Sequence, residues 1–222
     1  HPQSGQYHPD YMRMLGIEPE RLPVVLPPTG VVGEVTPEAA AATGLPVGTA
    51  VIIGTIDAWC DIIGCGATIP GQAVDVGGTS EVVALIDRSN SLTTRAIPDD
   101  QGVFAACLLE DVYWIGGPTQ LGGGTLQWWG DGFCQNLDVH ALAQEASTVE
   151  PRDDDPLFLP YLSGERAPVW DSRARGALVG LGRHHSRANC TRAVYEGVAF
   201  AVRDMLEKSQ AAAGLVATEL RL

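Results

Sequence analysis

The chain has 222 residues, of which 27 are acidic and 14 basic, giving a formal net charge of −13. A nucleic-acid partner or an anionic membrane surface needs a Lys/Arg-rich face, and this balance argues against both. Apolar residues make up 45%, enough for a buried core and too much for a disordered chain, while no apolar run reaches the ~20 residues that span a bilayer.

In chain order, residues 1–30 carry prolines at 2, 9, 19, 23, 27 and 28 and read as loop and short helix. Thr36 to Gly44 reads as a helix: an N-cap Thr, proline at the first helical position, an acid in the first turn and a glycine stop. Thr49 to Gly54 is a short β-branched run that reads as a buried strand. Asp57 to Ala67 reads as a helix following it directly, and Pro70-Gly71 as a turn and a domain boundary. Ala73 to Ile86, with Gly77-Gly78 near its middle, reads as strand, glycine turn, strand. Gly102 to Gly117 holds two apolar runs split by Glu110-Asp111, a second hairpin. Thr119 to Gly130 reads as a helix opening on glycines, Val139 to Val149 as a short helix, and Pro151 to Pro156 as an acidic loop. Ser186 to Gly214 carries the clearest helical stripe, with Ala193, Val194, Gly197, Val198, Ala201, Val202, Met205 and Leu206 at three-to-four spacing. Glu219 to Leu222 reads as the start of another strand.

Three places could carry chemistry. Asp57 closes an apolar strand where a helix begins; the carboxyl ends of strands face the ligand crevice in open α/β sheets, and a helix N-terminus keeps an Asp ionised. The same residue also reads as an ordinary helix cap. In Asp75-Val-Gly-Gly-Thr-Ser80 two glycines let backbone N–H groups approach a phosphate, and Thr79 adds a hydroxyl; a two-residue Gly-Gly hairpin loop is the plain alternative. Gly122-Gly-Gly-Thr-Leu-Gln127 puts a glycine cluster at a helix start, where phosphates bind. It lacks the lysine of the P-loop and the βαβ frame of a dinucleotide site.

Other features carry less. The five cysteines (Cys60, Cys65, Cys107, Cys134, Cys190), odd in number and scattered, read as reduced cytosolic thiols, without zinc-ligand spacing. His184-His185 reads as a surface loop, Asp153-Asp154-Asp155 as a solvated one, and the five tryptophans as core. Trp59, two residues after Asp57, is the exception to watch.

Taken together these pieces resemble the FGGY family of carbohydrate kinases. The stretch Leu159-Pro-Tyr-Leu-Ser-Gly-Glu-Arg-Ala-Pro-Val-Trp-Asp-Ser-Arg-Ala-Arg-Gly176, continuing to Asn189-Cys-Thr-Arg-Ala-Val-Tyr-Glu-Gly197, is similar to the family's C-terminal signature. Cys190 departs from it, standing where a larger aliphatic residue is usual. The resemblance implies an α/β fold of the actin/hexokinase (ribonuclease H-like) type, with two lobes and a cleft, represented only in part. Residues 1–67 would belong to the first, sugar-binding lobe and 68–222 to a truncated second, nucleotide-binding lobe.

It further implies ATP with Mg2+ as cofactors and Asp57 as the base that accepts a sugar hydroxyl's proton. Gly78, Thr79, Gly123 and Gln127 would contact the nucleotide, and no residue is assigned as a metal ligand. The substrate would be a ketopentose such as xylulose or ribulose, handled in the cytoplasm, with a homodimer left open. The opening His1-Pro-Gln-Ser-Gly5, with no methionine before Met12, is expected of a segment of a longer kinase, and little activity is expected from these 222 residues alone. A nucleotide-binding module without catalysis, and a hydrolase in which Asp57 activates water, are the competing readings.

Overall fold

The computed structural model describes residues 6–88, 101–109 and 111–222; residues 1–5 and Glu110, both named above, lie outside them. Helix α1 (Pro9–Leu15) and a 3-10 turn (Pro19–Arg21) open the described chain, followed by strand β1 (Val31–Glu34), helix α2 (Pro37–Thr43) and strand β2 (Ala50–Ile52). The signals read for α2 operate as expected. The Thr36 side chain accepts from the Ala39 N–H at 3.2 Å, Pro37 starts the helix, and Gly44 ends it in the left-handed region.

β2 pairs antiparallel with β1 in a two-stranded ribbon. Every residue of both strands is exposed, which corrects the reading of Thr49 to Gly54 as a buried strand. A short β-branched run fixes the extended backbone. It does not say whether anything covers it.

The main sheet comprises β3 (Gln72–Gly77), β4 (Glu81–Arg88), β5 (Phe104–Leu109), β6 (Val112–Pro118) and β9 (Glu219–Arg221), in the order β5-β6-β4-β3-β9. All neighbours are antiparallel except β3 and β9, which run parallel, with Ala73 opposite Leu220. Side chains alternate across it. Ala73, Val83, Leu85 and Ile115 face helix α6 (Arg187–Ala213) through Met205 and Ala212; Val74, Ala84, Ile86 and Trp114 face helix α3 (Asp57–Gly64) through Ile62.

A third cluster joins helices α4 (Gly123–Phe133) and α5 (Val139–Ala146) to α6 and to the ribbon of β7 (Leu157–Leu159) and β8 (Ala177–Val179), around Trp129, Leu142, Phe158 and Val194. The tryptophans divide. Trp114 and Trp129 are buried, and half-buried Trp59 meets Trp114 edge to face at 6.0 Å, so it serves the core. Trp128 and Trp170 are exposed, against the expectation that the tryptophans other than Trp59 are core.

Candidate nucleotide cleft

The glycine hairpin and the glycine helix start, far apart in sequence, form one construction. β3 and β4 close their ladder at Gly77 opposite Glu81, leaving Gly78-Thr79-Ser80 as the connecting loop. Neither Gly77 nor Gly78 has a positive φ, so the two-residue Gly-Gly hairpin is not the explanation. The glycines after Leu121 permit contact instead. A Cβ on Gly123 would stand 2.5 Å from the Gly78 carbonyl oxygen, and one on Gly122 would overlap Glu81 Oε1.

Three backbone bonds cross this gap. The Gly122 N–H donates to the Thr79 carbonyl (2.8 Å), Gly123 to Gly78 (2.9 Å) and Gly124 to Thr79 (3.1 Å). The first-turn donors of α4 are therefore spent on the loop. This corrects the expectation that the helix N-terminus itself meets the phosphates. The donors left over belong to the loop: among the described residues no hydrogen bond takes up the N–H or hydroxyl groups of Thr79 and Ser80.

A cleft of about 460 Å³ opens beside this junction, lined by Gly78, Thr79, Gly123, Gly124, Gln127, Asp131, Asn136, Leu137, Asp138 and Val139. All four residues expected at the nucleotide, Gly78, Thr79, Gly123 and Gln127, are among them. The lining combines the loop donors of Thr79 with the acceptors Asp131, Asn136 and Asp138. Asp138 is partly committed, because its Oδ1 caps α5 by accepting from the Ala141 N–H at 2.9 Å. Asp131 has no hydrogen-bond or ion-pair partner among the described residues. Sequence reading missed these three; Gly124 lay in the glycine run but was not assigned to the nucleotide. The Asp138 cap is a legible signal, whereas Asp131 and Asn136 reach the cleft only through the turn between α4 and α5.

Asp57 does not line this cleft. It is the first residue of α3, exposed, with Ile56 at the N-cap position, so the plain capping reading is also set aside. Its Oδ1 accepts from the Ala58 N–H at 2.7 Å.

Two acidic residues behind the cleft were not singled out from sequence. Glu165 is buried and receives the Gln120 N–H (2.5 Å) and the Arg166 N–H (2.8 Å), while the Arg166 guanidinium donates to the Thr119 carbonyl. The Ser163–Pro168 stretch of the signature thus anchors the segment that leads into α4. Glu81, also buried, lies under Gly122; its own N–H donates to Thr119 Oγ1 at 3.0 Å. Burial and the nearby Asp75 push the Glu81 carboxyl up to about 7.

Metal-ligand groupings lie elsewhere. Among the described residues only Asp154, His184 and His185 bring three candidate ligands together, and none lines the cleft. The two imidazoles sit with centroids 4.0 Å apart in a turn, His184 Nε2 lying 2.9 Å from Asp154 Oδ2.

The C-terminal domain of the FGGY family of carbohydrate kinases matches residues 73–218. The gluconokinase of Bacillus subtilis (strain 168) is 32% identical over 201 residues, covering 85% of this chain and 38% of that protein. The xylulose kinase of the same organism is 28% identical over 207 residues, covering 93% of this chain and 41% of that protein. The crystal structure of a ligand-bound xylulose kinase from Lactobacillus acidophilus superposes with a TM-score of 0.82 at 28% identity, covering 94% of this chain and 41% of that one. The chain spans about two fifths of the length of the relatives it matches.

Proposed function

The chain belongs to the FGGY family of carbohydrate kinases, and on that footing we propose that the protein transfers the γ-phosphoryl group of ATP to a hydroxyl of a sugar. The observation that carries this reading is the polarity of the cleft. Phosphate oxygens need donors, which Thr79 leaves unpartnered in the lining; ribose hydroxyls need acceptors, which Asp131 and Asn136 supply in the same lining. Magnesium would enter with the triphosphate as its counter-ion, and no side chain is assigned to it.

In the proposed step the sugar oxygen attacks the γ-phosphorus, the bond to the ADP oxygen breaks, and Asp57 accepts the hydroxyl proton. Orientation and charge stabilisation supply most of the acceleration in such transfers. Asp57 suits the base role by its exposed place at the first residue of α3, where a carboxylate oxygen stays open to a hydroxyl. The hairpin loop, held by three backbone bonds to α4, presents its donors without reorganising.

For the substrate, the signature stretch supports a ketopentose such as xylulose, and the likeness to a gluconokinase makes a sugar acid the competing reading. Among the described residues no helix is long and apolar enough to cross a membrane. The five cysteines are all free thiols, which supports action in the reducing cytosol. The test is ADP release by the intact protein with xylulose, ribulose, gluconate and glycerol in turn. Sugar-dependent release is expected, fastest with a ketopentose; fastest release with gluconate would give the substrate to the sugar-acid branch, and sugar-independent release would replace the kinase by a hydrolase. Asp57→Asn should lower kcat by roughly 10²–10⁴ while MgADP still binds, as calorimetry would show. Near-normal turnover removes Asp57 from the base role.

A further inference from the structure

A second cavity, of about 490 Å³, lies behind the nucleotide cleft, and two carboxyl groups, Asp75 of β3 and Glu81 of β4, line it amid apolar side chains. Glu81 is 8% exposed. Its Oε1 occupies the space a side chain on Gly122 would need, and its Oε2 lies 3.2 Å from where a Cβ on Gly77 would stand. The carboxyl is thus wedged between the end of β3 and the first turn of α4, under the three backbone bonds that join them. Asp75 Oδ1 is buried with no hydrogen-bond partner, an acceptor left without a donor. Two anions this enclosed repel each other, and one proton between them supplies the missing donor and removes the repulsion.

We propose that Asp75 and Glu81 share one proton, and that this protonated pair is the clasp that seats the Gly78–Ser80 loop on α4, making Glu81 a positioning residue for bound nucleotide phosphate. The assignment to phosphate rests on the nucleotide reading above; the clasp itself does not. The backbone N–H groups of Gly123 and Gly78 offset part of the charge on Glu81, and no side chain around the cavity supplies the rest. α6 contributes Tyr195, whose hydroxyl burial pushes up, and Arg203, which is exposed and paired with Glu207 at 2.7 Å; α4 and β9 contribute Leu126 and Leu220. Bound phosphate adds further negative charge above the pair, so binding takes up a proton near neutral pH. Each unit by which phosphate raises the Glu81 pKa is a tenfold difference in nucleotide affinity between the acid and alkaline limits.

The test compares the wild-type protein with Glu81→Gln, which keeps the shape and fixes the neutral state, using MgADP calorimetry from pH 6 to 8.5 and thermal unfolding from pH 5 to 8 without nucleotide. The folded protein holds the Glu81 proton up to about pH 7, whereas an unfolded carboxyl releases it near 4.5. The folded state therefore binds more protons in that window, and wild-type stability falls as pH rises through it. Glu81→Gln should flatten this fall and the decline in MgADP affinity with pH; the nucleotide's own titration is common to both proteins and cancels. Asp75→Asn, which removes one charge of the pair, should move the fall to lower pH and serves if Glu81→Gln does not fold. Identical stability profiles in wild type and Glu81→Gln overturn the clasp. A flattened stability profile with identical MgADP profiles overturns the positioning role alone. If no protein binds MgADP while Glu81→Gln flattens the stability profile, the clasp is supported and the nucleotide reading fails.

Discussion

One methyl group at Gly123 would stand 2.5 Å from the Gly78 carbonyl oxygen, a backbone atom that cannot turn aside as a side chain would. The only relief is to lift α4 off the loop, which breaks the Gly123–Gly78 hydrogen bond and withdraws Thr79 from the cleft. Gly132 lies in the same helix, with open space within 4 Å of where its methyl would stand and no positive φ. The two glycines therefore predict opposite signs. Gly123→Ala should destabilise by about 1–3 kcal/mol, the range for overpacking, and weaken MgADP binding. Gly132→Ala should be neutral or stabilise by up to about 1 kcal/mol, the helix-propensity difference, and leave binding alone. Urea unfolding and MgADP titration of the two variants check both. Equal effects would mean that contact with the loop is not what demands glycine at 123.

At the scale of elements, the cleft keeps its shape only if α4 and α5 hold their places on α6, and one buried hydroxyl joins all three. Thr191 Oγ1 accepts from Trp129 Nε1 at 3.0 Å and donates to Glu145 Oε2 at 3.1 Å, while Arg187 binds the other oxygen of Glu145 at 2.7 Å. Thr191→Val preserves volume but leaves the Trp129 N–H unsatisfied in a buried site, a cost of about 1–3 kcal/mol. The change should appear in the urea midpoint with an unaltered slope, and an unchanged midpoint would show water replacing the hydroxyl. Sequence made these helices visible and left this tie hidden. The α6 stripe and its glycine stop at Gly214 are local periodicity and local chemistry, so they read directly. A threonine inside a helix is not marked by its neighbours, because its partners lie 46 and 62 residues away.

Across the whole molecule, the same division between local and distant information decides what could be read of the site. Gly78, Thr79, Gly123 and Gln127 were legible because each sits in a glycine-rich run whose backbone freedom is itself the signal, and a family resemblance joined the runs. Glu81 was not, since an acid at a strand start looks solvated until β6 and α4 close over it. Burial also divides the chain unevenly. Of residues 6–56 only Val35 is buried, and Val24, Val47 and Ile52 are at least half exposed. Ile62 and Ala67, by contrast, are fully buried against Val74 and Ala84 of the main sheet. α3, which the expected division at residues 67/68 would place with the preceding residues, is thus packed on the main sheet. Among the described residues, removing everything before Gly54 costs the burial of one valine, about 1.5 kcal/mol. At roughly 2–4 °C per kcal/mol for this chain length, residues 54–222 should unfold cooperatively within about 6 °C of the 222-residue chain and bind less of a dye that reports exposed apolar surface. Loss of cooperative unfolding in calorimetry would show instead that the exposed ribbon and α2 help to hold the main sheet and its helices together.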